Sequence, residues 1–117
     1  MNVLVIDDNA DLTTMISRML LAEKHECTVS NDGRNGLTVL EQKKFDAVIL
    51  DLAMPGFTGF DVVDALEKNG NLKEQKIIVL TASDVSNEKM EELKKRGVFA
   101  CLRKPVSINV LYETLKN

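Results

Sequence analysis

The sequence has no tryptophan, one histidine, two cysteines and two prolines among its 117 residues. The sequence has no CxxC motif, and a structural zinc site cannot be formed by only three candidate ligands, His25, Cys27 and Cys101. No apolar run approaches the roughly 20 residues of a membrane-spanning helix. The N-terminus also lacks the basic segment and the long apolar segment of a secretory signal. We therefore expect a cytoplasmic protein with no membrane association, in which both thiols are reduced.

The sequence also lacks a large excess of charge of one sign, because 15 basic and 18 acidic residues give a net charge of only −3. This balance gives no reason to expect direct binding to nucleic acid or to an anionic membrane. The composition, with 44% apolar and 28% charged residues, is ordinary for a globular protein. The length suits one domain with its own core. Without a linker or repeat in the sequence, we expect residues 1–117 to form a single domain.

Strand-like and helix-like segments alternate along the whole chain. Five short apolar runs predict β-strands at Asn2–Ile6, Cys27–Ser30, Asp46–Leu50, Lys76–Leu80 and Val98–Leu102. A segment with apolar residues at helical spacing follows each run. The third run is apolar on both faces, which is typical of a central parallel strand between two layers of helices. The pattern predicts an α/β fold of the flavodoxin-like (βα)5 type, doubly wound about a parallel sheet in the order 2-1-3-4-5.

Polar side chains stand at the carboxyl ends of four predicted strands. They are Asp7 and Asp8 after the first, Asp51 after the third, Thr81 at the end of the fourth and Lys104 after the fifth. Each has an ordinary explanation by itself, as a helix cap or a solvated charge. Ligands of doubly wound sheets bind at this edge, however, so we expect the five side chains to lie together. Crowded carboxylates need a compensating cation, and Mg²⁺ suits oxygen ligands with several retained waters.

Such a cluster suits phosphoryl transfer to a carboxylate. A divalent ion neutralises the phosphoryl oxygens, while one carboxylate acts as the nucleophile and forms an aspartyl phosphate. Lys104 would pair with the phosphoryl group as a point charge, and the Thr81 hydroxyl would donate a hydrogen bond to it. These residue types therefore favour a phosphoacceptor site.

Four segments, VLVIDDN, DAVILDLAMPGFTG, VLTAS and LRKP, resemble in order and spacing the hallmark segments of response-regulator receiver domains. The resemblance covers essentially the whole chain. It implies that Asp51 is the phosphoacceptor. It also implies that Asp8, Asp51 and the backbone carbonyl of Ala53 ligate Mg²⁺, and that Asp7 supports the ion largely through water.

By the same resemblance, Thr81 and Lys104 bind the phosphoryl oxygens, and the Lys104–Pro105 peptide bond is cis. Receiver domains usually carry Tyr or Phe three residues before this lysine, as a rotamer switch that follows the threonine. The sequence departs from that pattern, because Cys101 stands there. Phe99, two residues earlier, is expected to serve packing rather than to replace the aromatic switch.

The resemblance also implies what such a domain does. It is a signalling phosphoacceptor rather than an enzyme with an external substrate, although it promotes its own phosphorylation and dephosphorylation. The phosphoryl group comes from a histidine kinase or a His-phosphotransfer protein, and it switches a docking surface. A phosphorylation-dependent dimer is compatible with this function. The kinase, the downstream target and the presence of an attached output domain stay open.

Three alternative functions can be compared with these residues. A magnesium-dependent phosphohydrolase would carry a second acid two residues after its aspartyl nucleophile, where this sequence has Ala53. A flavin carrier would bind the phosphate of its cofactor in the first strand–helix loop, which is acidic here. The third alternative, a pseudo-receiver that is never phosphorylated, stays open because of Cys101.

Overall fold

The computed structural model describes residues 1–81 and 84–117. Within these residues five strands alternate with five α-helices, and a single 3-10 turn follows the third helix. The elements are β1 Asn2–Ile6, α1 Ala10–Ala22, β2 Glu26–Ser30, α2 Gly33–Gln42, β3 Ala47–Asp51, α3 Gly59–Lys68, the 3-10 turn Leu72–Glu74, β4 Ile77–Thr81, α4 Asn87–Arg96, β5 Ala100–Arg103 and α5 Ile108–Lys116.

The five strands form one parallel sheet in the order β2-β1-β3-β4-β5. The predicted flavodoxin-like topology is therefore confirmed. All residues of β3 and β4 are buried, which explains why these runs are apolar on both faces. The edge strands β2 and β5 are only partly buried.

The core has two halves, one on each face of the sheet. On one face α1 and α5 contribute Ile16, Leu20, Leu111 and Leu115, which pack with Val3 and Val5 of β1. On the other face α2, α3 and α4 contribute Leu40, Val62, Leu66 and Leu93, which pack with Leu4 and Ile6 of the same strand. Alternate residues of a strand thus serve opposite layers. Full burial of each large aliphatic side chain contributes about 1.5–3 kcal/mol.

A polar side chain caps the start of each of the five α-helices. The caps are Asn9, Asp32, Thr58, Ser86 and Ser107, and each accepts a main-chain N–H of the first helical turn. Such caps satisfy donors that the helix itself leaves free. Since each helix begins after the carboxyl end of a strand, the caps fix the loops around that edge of the sheet.

Some strand limits differ from the prediction. Asp51 is the last residue of β3 rather than the residue after it, whereas Thr81 closes β4 as predicted. β5 begins at Ala100 instead of Val98, because the N–H of Val98 bonds the carbonyl of Leu93 and so belongs to the end of α4. These shifts of one or two residues leave every predicted strand in place.

The two cysteines lie on β2 and β5, the opposite edges of the sheet, and both thiols are free. Neighbouring strands are about 4.8 Å apart, so four steps separate them far beyond the reach of a disulfide. In the described part of the chain, no helix is long and apolar enough to cross a membrane.

Candidate functional site

Four stretches of the chain converge at the carboxyl edge of the sheet. Lys104, just after β5, places its Nζ 3.1 Å from Oδ2 of Asp7 and 3.3 Å from Oδ1 of Asp51. The main-chain N–H of Lys104 also donates to the carbonyl of Thr81 at 2.7 Å. The structure therefore brings together the side chains of Asp7, Asp51 and Lys104 from separate strand ends, and joins Thr81 to Lys104 through the main chain.

Asp7, Asp8 and Asp51 form a carboxylate cluster. One carboxylate oxygen from each lies within 4.8 Å of the others. Asp7 is 0% exposed and Asp51 is 2% exposed, whereas Asp8 is exposed to solvent. Two acids thus form the floor of the cluster, and Asp8 lies at its open side.

Main-chain and side-chain bonds from two directions fix Asp7. Its Oδ1 accepts the N–H of Asn9 at 2.9 Å, where α1 begins. Its N–H donates to the carbonyl of Ser30 at 3.0 Å, and its carbonyl accepts the side-chain amide of Asn31 at 2.8 Å. The sequence pattern did not predict a role for Asn31, because it is not one of the charged or hydroxyl side chains at the ends of the strands. Its position directly after β2 was the signal that could have found it.

The loop after β3 folds back onto Asp51. The N–H of Ala53 donates to Oδ1 of Asp51 at 3.2 Å, and the N–H of Gly59 donates to the carbonyl of Leu52 at 3.2 Å. A Cβ on Gly59 would overlap the carbonyl oxygen of Asp51 and would lie 2.7 Å from Cα of Leu52. Only glycine allows α3 to start this close to the strand end.

The charges of the cluster shift the pKa values of Asp51 and Lys104. Burial raises the pKa of Asp51, and the charge of Asp7 raises it further; the Ala53 N–H and Lys104 offset this only in part. Burial lowers the pKa of Lys104, but its hydrogen bond to Asp7 and the charges of both acids outweigh this and leave it raised. With one ammonium against three carboxylates, the cluster keeps an excess of negative charge.

This donor set fits a magnesium ion. All available ligand atoms are hard oxygens, the cluster has uncompensated negative charge, and Asp8 faces solvent from which waters could complete the coordination. Ala53, whose carbonyl is the further ligand implied by the resemblance, is in the turn that bonds Asp51. The Lys104–Pro105 bond is cis.

The switch position differs from the aromatic pattern in an informative way. Cys101 faces α4, with its Sγ 3.7 Å from the carbonyl of Met90. Phe99 is 46% exposed and lies under the ammonium of Lys76, which is 4.6 Å from its ring centroid. Lys76 precedes β4 whereas Thr81 ends it, so Phe99 is at the wrong end of the strand to follow Thr81. The VLTAS segment continues into residues 82 and 83, which are outside the described residues.

The sequence pattern of the family described as "Response regulator receiver domain" matches residues 3–116. The chain belongs to this receiver-domain family. It is therefore a phosphoacceptor module of two-component signal transduction.

Similar proteins include small receivers and parts of much larger kinases. The receiver is 28% identical over 113 residues to Protein PilH of Pseudomonas aeruginosa, covering 97% of this chain and 93% of that protein. It is 32% identical over 120 residues to the sensor histidine kinase RcsC of Salmonella typhimurium, covering 98% of this chain but only 12% of that protein. The receiver thus spans about an eighth of that kinase.

Solved structures agree with the fold. The receiver domain of the Francisella response regulator 1452 superposes with a TM-score of 0.89 at 29% identity, covering 98% of this chain and 93% of that one. The chemotaxis protein CheY4 of Vibrio cholerae superposes with a TM-score of 0.85 at 33% identity, covering 98% and 95%. The receiver fold thus extends over nearly the whole chain.

Proposed function

We propose that residues 1–117 form one receiver domain in which Asp51 accepts a phosphoryl group from a histidine kinase or a His-phosphotransfer protein. The observation that carries this assignment is the convergence of Lys104 on two buried carboxylates, at 3.1 Å from Asp7 and 3.3 Å from Asp51. A carboxylate held in place beside a lysine and further acids that can bind a metal ion is suited to act as an aspartyl nucleophile.

The bonds within the cluster favour Asp51 over its neighbours as the nucleophile. Asp7 uses both carboxylate oxygens, one for the N–H of Asn9 and one for Lys104. Asp51 uses only Oδ1, for Ala53 and Lys104, so among the described residues no donor engages its Oδ2. A free oxygen on a held carboxylate is available for attack at phosphorus.

In the proposed reaction, Oδ2 of ionised Asp51 forms a bond to phosphorus while the bond from phosphorus to the donor histidine nitrogen breaks. The released imidazole then takes up a proton from solvent. Lys104 turns its ammonium group to the transferred phosphoryl oxygens, and the hydroxyl of Thr81 donates a hydrogen bond to them. Bound Mg²⁺ would supply neutralisation of the phosphoryl charge.

For this ion we propose Asp8, Asp51 and the carbonyl of Ala53 as ligands, with Asp7 acting largely through water. The 4.8 Å cluster of carboxylate oxygens and the excess negative charge support the assignment. The domain would thereby promote its own phosphorylation and dephosphorylation, without acting on an external substrate.

We further propose that the domain works in the cytoplasm and that phosphorylation changes a docking surface through which it relays the signal. A phosphorylation-dependent dimer is compatible with this proposal. Cys101 and Thr81 are the proposed switch positions, since both lie on the strands that flank α4. The pseudo-receiver alternative is not favoured, because the acids, the threonine and the lysine of a phosphoacceptor are all present.

The test is direct phosphorylation by a small phosphodonor. Acetyl phosphate with Mg²⁺ should add one phosphoryl group to the wild type in intact-mass spectrometry, and Asp51→Asn should not be labelled. Asp64→Asn, an exposed acid on α3, is the matched control and should be labelled normally. Undiminished labelling of Asp51→Asn would remove Asp51 as the acceptor.

A further inference from the structure

We propose that Asn31 is a positioning residue for the magnesium site, because it holds the peptide group that carries Asp8. This inference rests on the proposed function, since it assumes that Asp8 is a ligand. Asn31 lies directly after β2, outside the segments that contribute the acids. Its side-chain amide contacts the site only at the main-chain carbonyl of Asp7.

Asp8 is the acid whose orientation most depends on its backbone. Its side chain is exposed, and no hydrogen bond or ion pair to it occurs among residues 1–81 and 84–117. Asp7 and Asp51, by contrast, are each held by a main-chain N–H and by Lys104. The peptide groups on either side of Asp8 therefore set the direction of its Cα–Cβ bond, and with it the region that its carboxylate can reach.

Both of these peptide groups are held. On the C-terminal side, the N–H of Asn9 donates to Oδ1 of Asp7 at 2.9 Å. On the N-terminal side, the carbonyl of Asp7 accepts Nδ2 of Asn31 at 2.8 Å. The first bond uses a carboxylate of the site itself, whereas the second comes from a neighbouring loop. The hydrogen bond from Asn31 therefore does not depend on whether the acids of the site are protonated or bound to metal.

Asn31 is itself well placed to act as this support. The N–H of Asp7 donates to the carbonyl of Ser30, so the amide of Asn31 continues the β1–β2 ladder by one side-chain bond. Its Nδ2 also lies 3.4 Å from Oγ1 of Thr13, in the first turn of α1. Strand β2, the end of β1 and the start of α1 are thus joined at one amide group.

Without this amide, no hydrogen bond from the described residues would hold the Asp7–Asp8 peptide group itself, so the peptide plane could tilt between its two fixed neighbours. Partners that orient metal ligands without touching the metal typically contribute 10–100-fold to affinity. Because Asn31 acts on a peptide group and not on the ligand itself, we expect the lower end, a roughly tenfold rise in the Mg²⁺ dissociation constant.

The experiment compares Asn31→Leu with Asn35→Leu in the full chain. Leucine keeps the branched shape of asparagine but removes the donor. Asn35 is a matched control, because its amide donates to Oγ of Ser30 at 2.9 Å and not to an acidic residue. Mg²⁺ titrations of the ¹⁵N-labelled proteins by NMR should show weaker binding, by about tenfold, in Asn31→Leu and wild-type binding in Asn35→Leu. If the leucine variant does not fold, Asn31→Ala takes its place.

A kinetic measurement separates positioning from general damage to the fold. With acetyl phosphate, Asn31→Leu should be labelled slowly at low Mg²⁺ and at the wild-type rate when Mg²⁺ is saturating. Equal Mg²⁺ affinity in the Asn31 and Asn35 variants, or a rate that stays low at saturating Mg²⁺, would overturn the inference. Failure of the magnesium site itself looks different: the wild type would not bind Mg²⁺, or Asp8→Ala would bind it normally.

Discussion

The ammonium group of Lys104 lies 3.3 Å from Oδ1 of Asp51, although β5 and β3 are not neighbours in the sheet. The lysine reaches across the end of β4, where its own N–H is bonded to the carbonyl of Thr81. One residue therefore joins the ends of three strands and compensates the two buried acids, Asp7 and Asp51. Charge balance and the geometry of the strand ends therefore depend on the same residue.

We predict that Lys104→Met destabilises the metal-free domain by about 2 kcal/mol at neutral pH, because it leaves two buried acids without their cation. Urea unfolding in EDTA measures this. Lys95→Met on the exposed face of α4 is the control and should stay within about 0.5 kcal/mol of the wild type. A neutral effect of Lys104→Met would mean that the acids are compensated in another way.

The pH dependence of that difference has a definite sign. The pKa of Asp51 is raised in the fold, so on acidification Asp51 takes up a proton at a higher pH than an unfolded carboxyl would. Once Asp51 is neutral, its charge no longer has to be compensated by Lys104. The difference between wild type and Lys104→Met should therefore shrink as the pH falls toward about 4. At high pH it should persist beyond about 10.4, because the pKa of Lys104 is raised, and disappear only when the folded lysine loses its proton.

We predict opposite effects of Asp8→Asn with and without metal. In EDTA the substitution removes one of the crowded charges from an exposed position, and it should raise the melting temperature by about 3 °C. In excess Mg²⁺ the wild type gains binding energy that the variant cannot, so the order of the two melting temperatures should reverse. Parallel thermal melts in the two buffers decide this. Destabilisation of Asp8→Asn in EDTA would show that repulsion within the carboxylate cluster does not weaken the metal-free fold.

Gly59→Ala should be far more damaging than Gly56→Ala, although the two glycines are only three residues apart. A Cβ at Gly59 would overlap the carbonyl of Asp51, and we expect overpacking to cost about 3 kcal/mol. Gly56 has a φ of +78° with open space around it, so alanine there costs only the left-handed conformation, about 1 kcal/mol. Denaturant unfolding of both variants measures the contrast. Equal losses would show that α3 moves to accommodate the methyl group.

The architecture could be predicted from the sequence because strands that are apolar on both faces must lie in a sheet that helices cover on both sides. The helix layers follow from periodicity, the strand order from right-handed crossovers between five parallel strands, and the meeting of Asp7, Asp51 and Lys104 from where each strand ends. The support from Asn31 did not follow, since a contact between two loops depends on a side-chain rotamer that no periodicity encodes. The start of β5 was misplaced for a similar reason, because Val98 completes the end of α4 before the strand begins.

The last prediction concerns the two thiols, which form an internal comparison. Both are half-buried, and burial raises the pKa of Cys27 and of Cys101. Thiolate is the reactive form, so alkylation of both should be slow at pH 7 and should accelerate as the pH rises through the raised pKa. Cys27 lies on β2, at the far edge of the sheet from the switch position.

Cys101 lies on β5, the strand that pairs with β4 and therefore with Thr81. Its thiol contacts α4 at the carbonyl of Met90. If phosphorylation draws Thr81 toward Asp51, the packing between β5 and α4 changes, and the alkylation rate of Cys101 should change several-fold. The rate at Cys27 should stay the same. Timed alkylation with and without beryllofluoride and Mg²⁺, quantified by peptide mass spectrometry, measures both rates in one sample. Unchanged rates at both thiols would place the switched surface away from the β5–α4 contact, and equal changes at both would indicate a general loosening of the fold.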